Sequence, residues 1–128
     1  MKLNPDCIRD ILLQLEQAPF GESVYPDQLY DNLPNYSHDD IDYSILKMEE
    51  AGFINATVEH FLSGNIGIEI HDISYNGHQF LDNVRSSKVW NATKKVATDI
   101  GSTSIQAIMQ IATSVITEII KQAVFPVI

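Results

Sequence analysis

From Ile100 to Thr117 this chain carries eighteen consecutive residues without a charge. No other feature limits the fold as much, because a helix built from this run must have its apolar surface covered. Asp99, Ser102, Thr103 and Ser104 offer caps before it. Ile105, Met109, Ala112, Ile116, Ile119 and Ala123 then recur at spacings of 4, 3, 4, 3 and 4, the a/d seam of a heptad pattern. Ile108, Ile111, Val115 and Ile120 fall outside that seam, so the apolar surface is broader than a two-stranded coiled coil needs. Burying four such Ile or Val side chains would contribute roughly 6–12 kcal/mol before ordering costs, enough to decide an oligomeric state. Self-association through the seam is therefore expected. Folding back onto the chain's own domain is the alternative. A membrane span, which needs about 20 apolar residues, is disfavoured by the Ser, Thr and Gln side chains that lipid would leave to be satisfied. Pro126 is expected to end the helix, leaving Phe125 to Ile128 as an apolar tail.

The rest of the chain is of a different kind. Of 128 residues, the first 84 hold fifteen acidic groups against three basic ones, a balance of −12. Residues 85–128 balance at +3, and the whole chain at −9. This asymmetry marks two parts: a domain over 1–86 and a helical C-terminal extension over 87–128, expected to drive oligomerisation. It also makes the front domain a poor polyanion binder, since Lys and Arg supply most non-specific nucleic-acid affinity. One cysteine, Cys7, excludes an intrachain disulfide. Met1 to Asp6 lack the apolar stretch of a secretory signal, so a reducing cytoplasm is the expected location.

Asn4, Pro5 and Asp6 suit the cap and first turn of a helix whose buried face is Ile8, Ile11, Leu12 and Leu15. Residues 26–33 read as a short second helix, with Leu29, Tyr30 and Leu33 inward and Pro34 as its stop. Ser37 should cap a third, with a stripe of Ile41, Ile45, Leu46 and Met48 and an end at Gly52. Residues 53–61 and 66–70 are rich in β-branched and aromatic residues and flank Ser63-Gly64-Asn65, which predicts a hairpin. A fourth helix should open at Ser74, with Val84 and Trp90 continuing its apolar face. The expected fold class is mainly α with a small β-hairpin (α+β): a winged helix-turn-helix-like domain plus a long C-terminal helix.

Two local patterns carry a resemblance to winged-helix regulators: Glu50-Ala51-Gly52-Phe53-Ile54 before the wing, and Ile73-Ser74-Tyr75-Asn76-Gly77-His78-Gln79-Phe80-Leu81 after it. The chain also resembles a bacterial and prophage family of unknown function. That likeness runs through Met1 to Leu12, Ile73 to Arg85, and Val89-Trp90 with Thr93-Lys94-Lys95. It implies a winged-helix-like fold and a phage or mobile-element context, and it carries over no catalytic residue.

No residue pattern points to an enzyme. There is no glycine-rich phosphate loop, no serine nucleophile elbow and no set of ligands at metal spacing among His38, His60, His71 and His78. No metal or cofactor is expected, and Cys7 reads as a buried structural thiol. The third helix carries Asp39, Asp40, Asp42, Glu49 and Glu50 against one base, Lys47, which repels a phosphate backbone. The basic residues that remain cluster as Arg85, Lys88, Lys94 and Lys95 around Trp90. This cluster could contact nucleic acid with Trp90 stacked on a base, form a solvated helix face with Trp90 packed in the core or an interface, or meet the acidic domain of a neighbouring copy, which charge complementarity favours. The expectation is a non-enzymatic interaction protein that binds a protein partner and forms a homo-oligomer. The alternatives are a dimeric DNA-binding regulator and, third, a membrane-active effector acting through residues 100–120.

Overall fold

Asn4 and Pro5 start the first helix by the expected route. The Asn4 side chain accepts the Cys7 backbone N–H at 3.2 Å, and α1 runs Pro5–Glu16. In this computed structural model residues 1–102 and 104–125 are described. Thr103 and 126–128, with the expected cap and stop among them, lie outside the described residues. The order continues with α2 (Pro26–Asn32), α3 (His38–Glu50), β1 (Ile54–His60), β2 (Ile66–Ile73), α4 (Tyr75–Val84), α5 (Ser87–Ile100) and α6 (Ile105–Val124). The fold is mainly helical with one antiparallel hairpin, as the residue pattern requires. The chain divides into two compact units, Met1–Gln79 and Phe80–Ile128, so the division falls inside α4 and not at residue 86.

The first unit buries one face of each of its first three helices. Cys7, Ile8, Ile11, Leu12 and Leu15 of α1 are all buried. So are Leu29 of α2 and Ile41, Ser44, Ile45 and Met48 of α3. Three expected core residues differ: Tyr30, Leu33 and Leu46 are only half-buried. In α3, position 44 continues the stripe of 41, 45 and 48 at helical spacing, whereas 46 turns about 100° further with each residue and leaves it. Burial at 44 takes a serine because Cys7 and Ser44 lie side by side there. Ser37 caps α3 through the Asp40 N–H at 3.0 Å. Gly52, at φ +75°, ends it, with the Phe53 N–H reaching back to the Met48 carbonyl at 2.8 Å.

The hairpin pairs Ile54 with Ile73 and His60 with Ile66, with one irregularity at Asn55/Ala56. Strand β2 is longer than the expected 66–70, because the bulge lets pairing continue to the start of α4. Val24 adds a single bridge, exchanging backbone hydrogen bonds with Ile70 at 2.8 and 2.9 Å. The two sequence patterns around Gly52 and Gly77 close on each other. The Ser74 hydroxyl donates to the Gly52 carbonyl and accepts the Gly77 N–H at 3.1 Å, while the Ser74 N–H reaches the Phe53 carbonyl at 3.0 Å. A Cβ on Gly77 would stand 2.0 Å from the Phe53 oxygen. Glycine is needed here for close approach, not for its dihedral freedom.

The C-terminal unit is not one long helix. Ser86 caps a separate α5 through the Val89 N–H at 3.4 Å. Gly101, at φ +73°, ends α5, and Ser104 caps α6 through the Ala107 N–H at 3.1 Å. The uncharged run is thus split at Gly101, and Val84 and Trp90, expected on one helix, lie on two. Helices α5 and α6 pack against each other within the C-terminal unit. Val89, Trp90, Thr93 and Ala97 form the buried line of α5, and Ile108 and Ala112 are the buried residues of α6. The Thr93 hydroxyl is buried, with no hydrogen-bond partner among the described residues.

Candidate functional site

Three surfaces hold the residues singled out by sequence. The first surrounds α3. Asp39, Glu49 and Glu50 are exposed, and Asp40 and Asp42 half-exposed. Lys47, the sole base of the helix, is bound to Glu50 at 2.9 Å and lies 5.4 Å from the Tyr43 ring centre. The hydrogen bond and charge of Glu50 raise the Lys47 pKa. Beside α3, the Tyr30 hydroxyl donates to Asp42, and the His38 ring stacks on Tyr30 with centroids 3.8 Å apart and planes 8° apart. Burial and the Asp42 carboxylate hold the Tyr30 phenol far above its ordinary pKa. Tyr25, Asp27, Tyr30, Asp42, Leu46 and Ile66 border a cleft of about 280 Å³ between α2, α3 and β2. At the hairpin end, where a DNA-binding wing would carry Arg or Lys, Phe61, Leu62 and Ile66 are exposed instead. The stretch from Phe61 to Ile66 holds no Arg or Lys.

The second surface is the outer face of the hairpin. Ser23 donates to Glu69 at 2.8 Å; His71 Nδ1 lies 3.3 Å from the same Glu69 oxygen; His71 Nε2 lies 2.7 Å from the Thr57 hydroxyl. Hydroxyl, imidazole and carboxylate occur here in the order of an acyl-transfer triad. Such chemistry needs a water-excluded site with donors aimed at the developing oxyanion, but His71 and Glu69 are 44% and 40% exposed. Thr57 and Glu69 are paired residues of the two strands, and the network ties the Val24 segment and both strands in register. Among the described residues no group of three His, Cys, Asp or Glu side chains could hold a metal ion.

The third surface belongs to α5 and α6. Trp90 is 3% exposed, so it is not available to stack on a base and takes the packed role weighed beside that one. Lys94 sits 5.7 Å from its ring centre. Arg85 is bound to Asp82 at 3.0 Å. Lys88 and Lys95 are exposed on one face of α5, with Lys94 about 100° away, so the five residues do not form one contiguous patch. The heptad seam divides as well. Ala112 is buried, Ile105, Met109, Ile116 and Ile119 are half-buried, and Ala123 is exposed. Ile119 also borders a groove of about 600 Å³ shared with α5. By length and composition α6 could cross a membrane, which alone does not indicate one. Thr113, Ser114 and Thr117 donate to the carbonyls of Met109, Gln110 and Thr113 at 2.9, 3.1 and 2.8 Å. Those hydroxyls are therefore satisfied within the helix.

These features define a mainly helical protein with one antiparallel hairpin, a tied acidic helix and a half-covered C-terminal helical pair. The chain belongs to the family described as hypothetical protein DUF2513, which it matches over residues 2–104, up to the cap of α6. It is similar to an uncharacterized protein of Haemophilus influenzae, 29% identical over 122 residues, covering 94% of this chain and 99% of that one. No solved structure matches it.

Proposed function

We propose that this protein is a non-enzymatic, cytoplasmic interaction protein. A winged-helix-like domain presents the acidic surface of α3 to a protein partner, and the C-terminal helices associate with another copy. The order α1, Val24 bridge, α2, α3, hairpin supports a winged-helix reading. The observation that carries the functional reading is the state of α3. Its one base is bound to Glu50, and the face that would enter a DNA groove is acidic, so a phosphate backbone is repelled and a basic protein surface attracted.

The test is fluorescence anisotropy of a labelled mixed-sequence duplex titrated with the full chain at several salt concentrations. No binding is expected tighter than about 100 µM at physiological salt, the weak end of non-specific affinity. In parallel, a partner captured from a host lysate should be lost on Asp39→Lys with Glu49→Lys. Tight, salt-dependent duplex binding abolished by Lys94→Ala with Lys95→Ala would overturn this reading in favour of a DNA-binding regulator.

A further inference from the structure

Helix α6 has 20 residues, of which only Ile108 and Ala112 are buried. Three of its remaining apolar side chains open into one groove. Ala92 and Val96 of α5 form one wall of it, and Ile111, Val115 and Ile119 of α6 the other. The volume, about 600 Å³, is that of a channel able to take large apolar side chains from another helix. Exposed apolar surface of this kind marks an interface.

We infer that this groove is filled by the same helical pair of a second copy, giving a four-helix bundle whose twofold axis runs along the helices. This rests on the self-association proposed above and names its surface. Two observations select a copy of this chain as the occupant. First, the groove complements itself in charge. Lys88 on α5 and Glu118 on α6 both border it. Because α5 and α6 are joined by a short connection and pack together, they run antiparallel, which brings Lys88 and Glu118 to the same end. A twofold axis parallel to the helices sets α5 against α6 of the other copy, at equal height. Each Lys88 then faces the other copy's Glu118, as an isologous interface requires. The net charge of the chain does not oppose this. The unit Phe80–Ile128 has five basic and three acidic groups, a balance of +2, and the excess of −11 lies in Met1–Gln79.

Second, the area suffices. Two helix diameters give a face roughly 20 Å wide, and the 14 and 20 residues of α5 and α6 give lengths of roughly 21 and 30 Å. Such a face buries roughly 500–600 Å² per copy, or about 1,000–1,200 Å² in all, which reaches the range of specific dimers. The bundle uses the side of α6 that bears Ile111 and Val115. The heptad seam, by contrast, points partly inward through Ala112.

Sedimentation velocity on the full chain from 1 to 100 µM tests the inference, with circular dichroism to verify folding of each variant. A dimer is expected. Val96 is 40% exposed in the single chain, so Val96→Glu should leave the fold intact and weaken the dimer by roughly 30-fold or more, as loss of an interface anchor does. Ile120, 54% exposed on the other side of α6, serves as the control, and Ile120→Glu should leave the dimer unchanged. Lys88→Glu and Glu118→Lys should each weaken it by roughly 2- to 5-fold, and the two together should restore it. A dimer that resists Val96→Glu and yields to Ile120→Glu would overturn the groove inference while leaving self-association standing. A monomeric wild type would overturn both. Flotation with vesicles of phosphatidylcholine and phosphatidylglycerol, lost on Val96→Glu, would make lipid the occupant and equally overturn the inference.

Discussion

Helices α1 and α6 are both amphipathic, rich in branched aliphatic residues and capped by a polar side chain, yet they treat their apolar residues in opposite ways. In α1 all of Cys7, Ile8, Ile11, Leu12 and Leu15 are at most 6% exposed. In α6, Ile108 and Ala112 are buried while Ile120 and Val124 are 54% and 59% exposed. The difference lies in what surrounds each helix. Helix α1 contacts α2, α3 and β2, whereas the helix packed on α6 is α5. An isoleucine at helical spacing therefore states that a face must be covered, and the number of neighbouring elements decides whether the chain covers it alone.

The sharpest way to break this contrast is at the Gly52–Gly77 clasp of the first unit. Gly77→Ala brings a Cβ to 2.0 Å from the Phe53 carbonyl and 2.7 Å from Ile73 Cγ2. Neither backbone nor branched carbon can give way cheaply, so a loss of about 4 kcal/mol or more is expected in urea unfolding. Next comes a matched pair. Ile11→Ala, at a fully buried site, should cost about 3–4 kcal/mol. Ile120→Ala should stay within about 0.5 kcal/mol; equal costs would erase the contrast between the helices.

The second unit also holds a correctable defect. Thr93→Val keeps the shape and removes a buried hydroxyl without a partner among the described residues, so it should stabilise by about 1 kcal/mol, read as a raised Tm. The smallest effect concerns pH. Burial is the main cause that pushes the Cys7 thiol from 9.0 to about 11. The native state then holds this proton more tightly than the unfolded chain. Its contribution is full below about pH 9 and is lost as pH rises towards 11. Tyr30 and Tyr36 phenols, raised by burial and by Asp42 and Asp10 respectively, act in the same direction. Urea midpoints should therefore fall between pH 9 and 11, and Cys7→Ala should flatten part of that fall. A midpoint that rises over this range would count against the burial of these groups.

Much of the fold was legible because its signals are local. The Asn4, Ser37 and Ser74 caps, the Gly52 stop and the turn at Ser63-Gly64-Asn65 each join residues a few positions apart. The α4–α5 break was also written locally, in the Ser86 cap, but the apolar spacing of Val84 and Trp90 obscured it. The candidate surfaces were less legible. Trp90 among lysines reads equally as a base-stacking platform or a packed side chain, and only its burial separates the two. Phe61, Leu62 and Ile66 at the hairpin end look like ordinary strand and turn residues until the hairpin is seen to leave them exposed. The network of Ser23, Glu69, His71 and Thr57 joins residues 46 and 14 positions apart and has no local signal.

The sequence by itself determined the caps and stops of α1 and α3, which stretch turns as a hairpin, and that the acidic and apolar surfaces lie in different parts of the chain. Caps, stops and charge are properties of neighbouring residues. Tertiary structure alone decided that Gly52 and Gly77 meet, that Trp90 is buried, and that α6 turns Ala112 inward and Val115 towards a groove. Burial is set by contacts between residues far apart in sequence, and the heptad spacing is compatible with more than one set of them.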